Sequence, residues 1–278
     1  MKKVTVITVF TMSALLLAMM TVSAMAYVID GDLDDWGVNP SIGNWVANSP
    51  ATSVYANWAN GPSNMGYNHD PGLEECDIEA IYVDEDVNGP NLYFAIITSM
   101  PVDGFTYDCG GTDIQIIPGD LALDLNTDGT FEYGIKLTTY PYSSDAVGVA
   151  IGEVFRNPSW IKFTTICAQS NPLIDVSNMV KNPSTQKTGA AEIFYTDYLD
   201  WPSDNQKPNY VIEMRVPKSA LGISSSGHID LVATLSCIND VMIIGLDYTP
   251  IPEFTTIALP VCMILGLFYF FRRKRQTE

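Results

Sequence analysis

Cations are scarce in this chain and histidine is nearly absent: 14 lysines and arginines stand against 32 aspartates and glutamates, and histidine occurs twice in 278 residues. So few basic groups exclude a nucleic-acid surface, whose affinity comes from neutralised phosphates, and they disfavour anionic lipid heads for the same reason. His69 and His228 lie in no nucleophile, metal or acid-base motif, so the sequence points away from an enzyme. Paired carboxylates do not restore catalysis, because among so many acids some pair always stands at a glycosidase-like separation. No CxxC or Cys/His spacing suits zinc, and no glycine-rich phosphate loop precedes a helix. N-linked glycan finds no acceptor, since Asn157 and Asn182 are each followed by Pro and then Ser. Sustained helical periodicity is missing from the middle of the chain, which leaves strands and turns.

What is present begins at the two ends. Met1-Lys2-Lys3, a mostly apolar run over 4–22 and the small-x-small site Ala24-Met25-Ala26 describe a helical secretory signal peptide over 1–26, with mature residues starting at Tyr27. At the other end Pro252-Glu253-Phe254 precedes an apolar run, 255–271, and the basic cluster Arg272-Arg273-Lys274-Arg275. As a transmembrane helix that run reaches about 26 Å, short of a hydrocarbon core about 30 Å thick. The nearest upstream cation is Lys218, so the positive-inside bias holds 272–278 in the cytoplasm and the bulk of the chain outside.

This tail closely resembles the PEF-CTERM sorting signal of methanogenic archaea. The resemblance implies an archaeosortase-type peptidase that cuts near Pro252-Glu253-Phe254, and transfer of the released chain to a lipid, much as a glycolipid anchor replaces a removed tail. A retained single-pass anchor is the plainer alternative. The expected organisation is therefore a signal peptide (1–26), an extracellular domain (27–252) and a sorting signal (253–278).

Charge and cysteine describe that middle part. Six of the cations and two of the acids lie in the terminal signals, so 27–252 carries eight cations against thirty acids, a balance of −22. Divalent cations become natural partners of such a surface; a solvated acidic face that aids solubility is the simpler account. Of five cysteines, Cys262 sits in the apolar tail, leaving Cys76, Cys109, Cys167 and Cys237, an even number suited to disulfides in an oxidising place. Three connectivities are open. Cys76 with Cys109 is preferred because both adjoin loops bounding an expected hairpin, with Cys167 and Cys237 as the remaining pair.

Short β-like runs separated by turn residues occur at 78–83, 91–98, 120–125, 131–137, 148–154, 160–166, 210–216 and 229–236. In 210–216 the apolar Tyr210, Ile212, Met214 and Val216 alternate with Glu213 and Arg215, as expected of a half-buried strand. Lys218 to Leu221, after Pro217 and before Gly222, reads as a helical turn. Many short strands without a βαβ rhythm predict an all-β fold, two packed antiparallel sheets in a β-sandwich. Residues 29–36 (IDGDLDDW), 81–96 (IYVDEDVNGPNLYFAI) and 211–222 (VIEMRVPKSALG) resemble the opening, the acidic hairpin and a later strand of the family 9 carbohydrate-binding-module-like β-sandwiches. That resemblance implies the same sandwich, a fold that hosts sugar binding, other ligand binding and structural roles alike.

Two local patterns carry chemistry. Asp124, Asn126, Asp128, Thr130 and Glu132 place oxygens at alternating positions around Gly129, as in the first half of a calcium loop; the residue at the twelfth position, where an EF-hand needs a bidentate Glu, is Ile135. Asp128-Gly129 between two strand-like runs is equally a hairpin signal, and Asp84-Glu85-Asp86 with Asn88-Gly89 reads as a plain turn. A glycan site would need exposed rings beside polar groups, and the stretch 39–70 offers Trp45, Tyr55, Trp58 and Tyr67 among seven asparagines. Trp36 is expected in the core.

Together these features predict a surface-held archaeal β-sandwich on the extracellular face of the membrane, acting by binding or building rather than by catalysis. Its expected partners are an archaeosortase-type processing peptidase, the membrane through helix or lipid, and envelope glycan or surface-layer components, with calcium as the candidate cofactor. The alternatives are an extracellular glycan-active enzyme and a single-pass subunit of an envelope complex.

Overall fold

The computed structural model describes residues 27–55, 77–87, 89–108, 111, 113–138, 150–161, 176–196, 209–236, 240–250 and 266. Fifteen strands run through them: β1 (Thr52–Tyr55), β2 (Ile78–Glu85), β3 (Asn91–Thr98), β4 (Phe105–Asp108), β5 (Asp113–Ile116), β6 (Leu121–Asp124), β7 (Tyr133–Ile135), β8 (Glu153–Arg156), β9 (Ser159–Trp160), β10 (Met179–Val180), β11 (Gln186–Ala190), β12 (Glu192–Tyr195), β13 (Tyr210–Pro217), β14 (Gly227–Thr234) and β15 (Val241–Tyr248). They form a five-stranded sheet in the order β1-β2-β3-β13-β12 and a six-stranded sheet in the order β11-β8-β7-β6-β14-β15, with two small ribbons, β4-β5 and β9-β10. Every pairing is antiparallel. The all-β expectation holds, and two sheets packed face to face agree with a sandwich.

The core between the sheets follows from alternation. Val83, Leu92, Phe94, Ile96, Ile212, Met214 and Val216 project from the five-stranded sheet onto Leu121, Leu123, Ile135, Val154, Ile229, Leu231 and Ile244 of the six-stranded one. Between β11 and β12 the chain passes from one sheet to the other at Ala191, whose amide donates to Gly152 O at 2.8 Å.

Both outer faces are covered as well, which corrects the half-buried reading of 210–216. A strap formed by residues 27–51 lays Leu33, Trp36, Val38 and Ala47 over Ala80, Tyr82, Tyr93, Ala95, Ile97 and Val211. Glu213, expected on a solvent face, is consequently fully buried beneath the strap. On the other sheet Val176, Met179 and Trp160 cover Ala122, Val232 and Phe155. Asp120 pins that cover: its carboxylate accepts from the Met179 amide at 2.9 Å, the Leu137 amide at 3.2 Å and Lys136 Nζ at 3.2 Å.

The acidic hairpin between β2 and β3 is structural, as its turn chemistry implied. Lys218 begins the expected 3₁₀ turn, Lys218–Leu221, and its buried Nζ donates to Glu85 Oε2 at 3.1 Å and to the carbonyls of Asp86 and Thr249 at 3.0 Å. One lysine thus ties the hairpin to the end of β15. Among the described residues no helix is long and apolar enough to cross a membrane; the runs 4–22 and 255–271, expected as signal and transmembrane helices, lie outside them apart from Gly266.

Candidate functional site

Strand β6 ends at Asp124 and the last paired rung before the turn is Leu123 opposite Tyr133, so residues 124–132 make the whole connection to β7. Buried Asp124 organises this loop: Oδ1 accepts from the amides of Asn126 (3.1 Å) and Thr127 (2.6 Å), and Oδ2 from that of Gly129 (2.8 Å). Asn126 Oδ1 accepts from the Asp128 amide at 3.0 Å, and Asp128 Oδ1 from the Thr130 amide at 2.8 Å. That bond from Thr130 holds the Asp128 carboxyl below the usual range. Gly129 turns the chain at φ 82°, the left-handed region that glycine enters without cost.

Three carboxylates are brought together. Asp124, Asp128 and Glu132 each place an oxygen within 4.8 Å of the other two. Ligands at about 2.4 Å on opposite sides of a calcium ion stand about 4.8 Å apart, so the spacing suits one ion at their centre. Glu132 supplies a further sign: Oε2 accepts from the Leu125 amide at 3.0 Å, whereas Oε1 is buried and has no hydrogen-bond partner. A buried acceptor without a donor is costly, and a hard cation would satisfy it. Ile135 is fully buried in the core and supplies no ligand, so the loop is not an EF-hand. Of the expected donors, the structure unites Asp124, Asp128 and Glu132, while Asn126 Oδ1 is engaged within the loop.

The aromatic candidates fare differently. Tyr55, at the end of β1, is 42% exposed, and Trp45 is half-buried against the strap's core. They approach one neighbour: Tyr82 donates through its hydroxyl to the Trp45 carbonyl at 3.0 Å, and Tyr55 adds to the burial that pushes the Tyr82 hydroxyl up. Trp58 and Tyr67 lie outside the described residues, as do Cys76, Cys109, Cys167 and Cys237, the cleavage residues Ala24 and Ala26, and the motif Pro252-Glu253-Phe254.

Sequence reasoning missed Glu213. Its Oε1 accepts from the Trp36 indole N–H at 2.8 Å, and its Oε2 from the amides of Gly31 at 2.9 Å and Asp30 at 3.0 Å. Burial nevertheless dominates and pushes the carboxyl up to about 7. The available signal was an acid in the middle of a long apolar strand, together with a tryptophan in an acidic loop.

Residues 251–275 match the family model of the PEF-CTERM archaeal protein sorting domain. The tail carries an archaeal sorting signal. Such a signal marks a cell-surface, membrane-anchored archaeal protein. No curated protein and no solved structure matches the chain.

Proposed function

We propose that this protein is a non-catalytic module of the archaeal envelope, delivered outside the cell, processed by an archaeosortase-type peptidase near Pro252-Glu253-Phe254 and held there by lipid. The sorting-domain match over 251–275 is the observation that carries the proposal. Calcium in the loop 124–132 belongs to the same reading, supported by the carboxylate spacing and by the orphaned oxygen of Glu132. Its role there is structural: the ion would fix the connection between β6 and β7 in a chain whose ectodomain balance is −22.

Catalysis gains no support at His228. Its Nδ1 is engaged by Asp247 Oδ1 at 2.6 Å and its Nε2 by Asp230 Oδ1 at 3.2 Å, which leaves neither nitrogen free for a substrate. Glycan binding is the second reading, favoured by exposed Tyr55 and by the carbohydrate-binding-module-like motifs. A glycan array on which Tyr55→Ala binds as well as wild type would remove it.

The sorting proposal is tested by the intact mass of the protein taken from its native surface. The expected mass lacks 1–26 and the tail from the Pro-Glu-Phe region onward, and carries a lipid. Recovery of Arg272 to Arg275 on the mature form would replace peptidase processing with a simple retained anchor.

A further inference from the structure

Residue 27 is where the expected leader ends, and the structure surrounds it with acid. The Tyr27 ring stacks on Trp36 with centroids 3.9 Å apart, and its hydroxyl donates to Asp84 Oδ2 at 2.6 Å. These two contacts fix the side chain, and with it the backbone, against the five-stranded sheet. One residue further on, the Val28 amide donates to Asp35 Oδ2 at 2.8 Å. The other oxygen of that carboxylate, Asp35 Oδ1, is buried and has no hydrogen-bond partner.

The charges around it favour a cation as the missing donor. Asp30 and Asp32 face Asp35 from the strap, and Glu213 faces it from β13; Asp84, on β2, stands on the far side of the Tyr27 ring. Among the described residues no lysine or arginine bonds to any of these five carboxylates. Burial first, and then repulsion from Asp30 and Asp32, push the Asp35 carboxyl up. In the uncleaved chain the nitrogen of residue 27 is a neutral amide and answers none of this.

We propose that cleavage after Ala26 supplies the cation: the new α-ammonium of Tyr27 pairs with Asp35 Oδ1 and locks the strap onto the sheet. Hydrolysis of the Ala26–Tyr27 amide consumes one water and leaves a carboxylate on Ala26 and an amine on Tyr27, which is protonated below its pKa of about 8. The Tyr27 nitrogen is one residue, about 3.8 Å of chain, from the Val28 nitrogen that this carboxylate already binds, which puts the new ammonium in the neighbourhood of Asp35. The folded domain thereby senses its own maturation. The inference rests on reading 1–26 as a cleaved leader.

The test compares the chain from Tyr27 through its native tail, in detergent, with the same chain one residue longer, starting at Ala26. At pH 6 to 7 the Tyr27 form should melt higher, by about 2–6 °C. Pairing raises the folded pKa of the amine above its unfolded value near 8, so the gap is fully present below about 8 and closes as pH rises through the folded value. The two forms carry the same side chains from Tyr27 onward, so the comparison isolates the amine at residue 27. Asp35→Asn should erase the gap; if that variant does not fold, acetylation of the Tyr27 amine should lower the melting temperature to that of the longer chain. Equal melting of the two forms overturns the proposal, as does a gap that survives Asp35→Asn. Calcium-dependent stabilisation that Asp35→Asn abolishes in both forms would assign the site to a metal instead. A native N-terminus other than Tyr27 would overturn the leader reading alone, because the melting comparison tests the pairing itself.

Discussion

Two glutamates on opposite sides of the sandwich show how differently one side chain is used. Glu213 is fully buried and receives three donors, the Trp36 indole and the amides of Gly31 and Asp30. Glu132 is half-buried and receives one, the Leu125 amide, with Oε1 left over on a side chain that gathers with Asp124 and Asp128. A carboxylate whose acceptors are filled by the chain is part of the architecture. One whose acceptor is left over, among others of its kind, has capacity for something the chain does not supply. The same distinction separates Glu213, on β13, from Asp35, on the strap that covers it, where one carboxylate oxygen is left without a partner.

The largest effect should come from emptying the architectural side. Trp36 is fully buried, stacks on Tyr27 and lies near Tyr82 at a ring separation of 6.2 Å. Trp36→Ala removes that packing and strips Glu213 of its indole donor, so urea unfolding should show a loss of about 3–5 kcal/mol. A loss under about 1 kcal/mol would mean that the strap adds little to the fold.

Glu213→Gln sharpens the contrast through pH. The amide nitrogen of glutamine must face at least one of the three donors, which should cost about 2 kcal/mol in acid conditions. For the wild type, the folded pKa near 7 lies above the unfolded value near 4.5, so the contribution of this group is complete below about 4.5 and is lost as pH rises through about 7. The stability gap between wild type and Glu213→Gln should therefore shrink across that window, with a slope no steeper than about 1.4 kcal/mol per pH unit. Asp84, Asp120 and Asp240 are also pushed up, mainly by burial, but they are common to both proteins. A gap that is flat from pH 4 to 8 would contradict a raised Glu213.

Much of the sandwich was legible because its central strands are long and apolar: 78–83, 91–98, 210–216 and 229–236 all fall within β2, β3, β13 and β14 to within two residues at either end. The 3₁₀ turn Lys218–Leu221 was equally plain from its Pro and Gly flanks. What escaped was marked weakly. β15 is interrupted by Gly245, β11 and β12 are edge strands with mostly exposed or half-exposed residues, and β1, β4 and β5 are four residues each. The burial of Glu213 could not be read from alternation, because period two says that two faces differ and not that a distant segment covers the polar one. The gathering of Asp124, Asp128 and Glu132 in the loop 124–132 was legible, since their spacing is local. The orphaned Glu132 oxygen is not, because it depends on which donors the fold brings near.

The smallest effect expected is also the one that separates the two glutamates most directly. Calcium should bind the loop 124–132 through Asp124, Asp128 and Glu132, with the Thr130 carbonyl as a further oxygen of the ligand order; Asn126 Oδ1 would join only by giving up the Asp128 amide. Without a bidentate twelfth ligand, the affinity should fall near about 0.1–1 mM, the range of extracellular modules. At tenfold excess over the dissociation constant, linkage stabilises the fold by about 1.4 kcal/mol, or a rise in melting temperature of about 3–6 °C. Screening of a surface at −22 would also raise it, so magnesium and sodium at matched ionic strength serve as controls. Asp128→Asn keeps a side chain that can accept from the Thr130 amide but removes one ligand charge, and it should reduce the calcium-specific rise by more than half. Glu213→Gln should leave that rise unchanged, because its carboxylate is already filled. An identical rise in wild type and Asp128→Asn would make the loop a plain hairpin, with Glu132 no more receptive to a cation than Glu213.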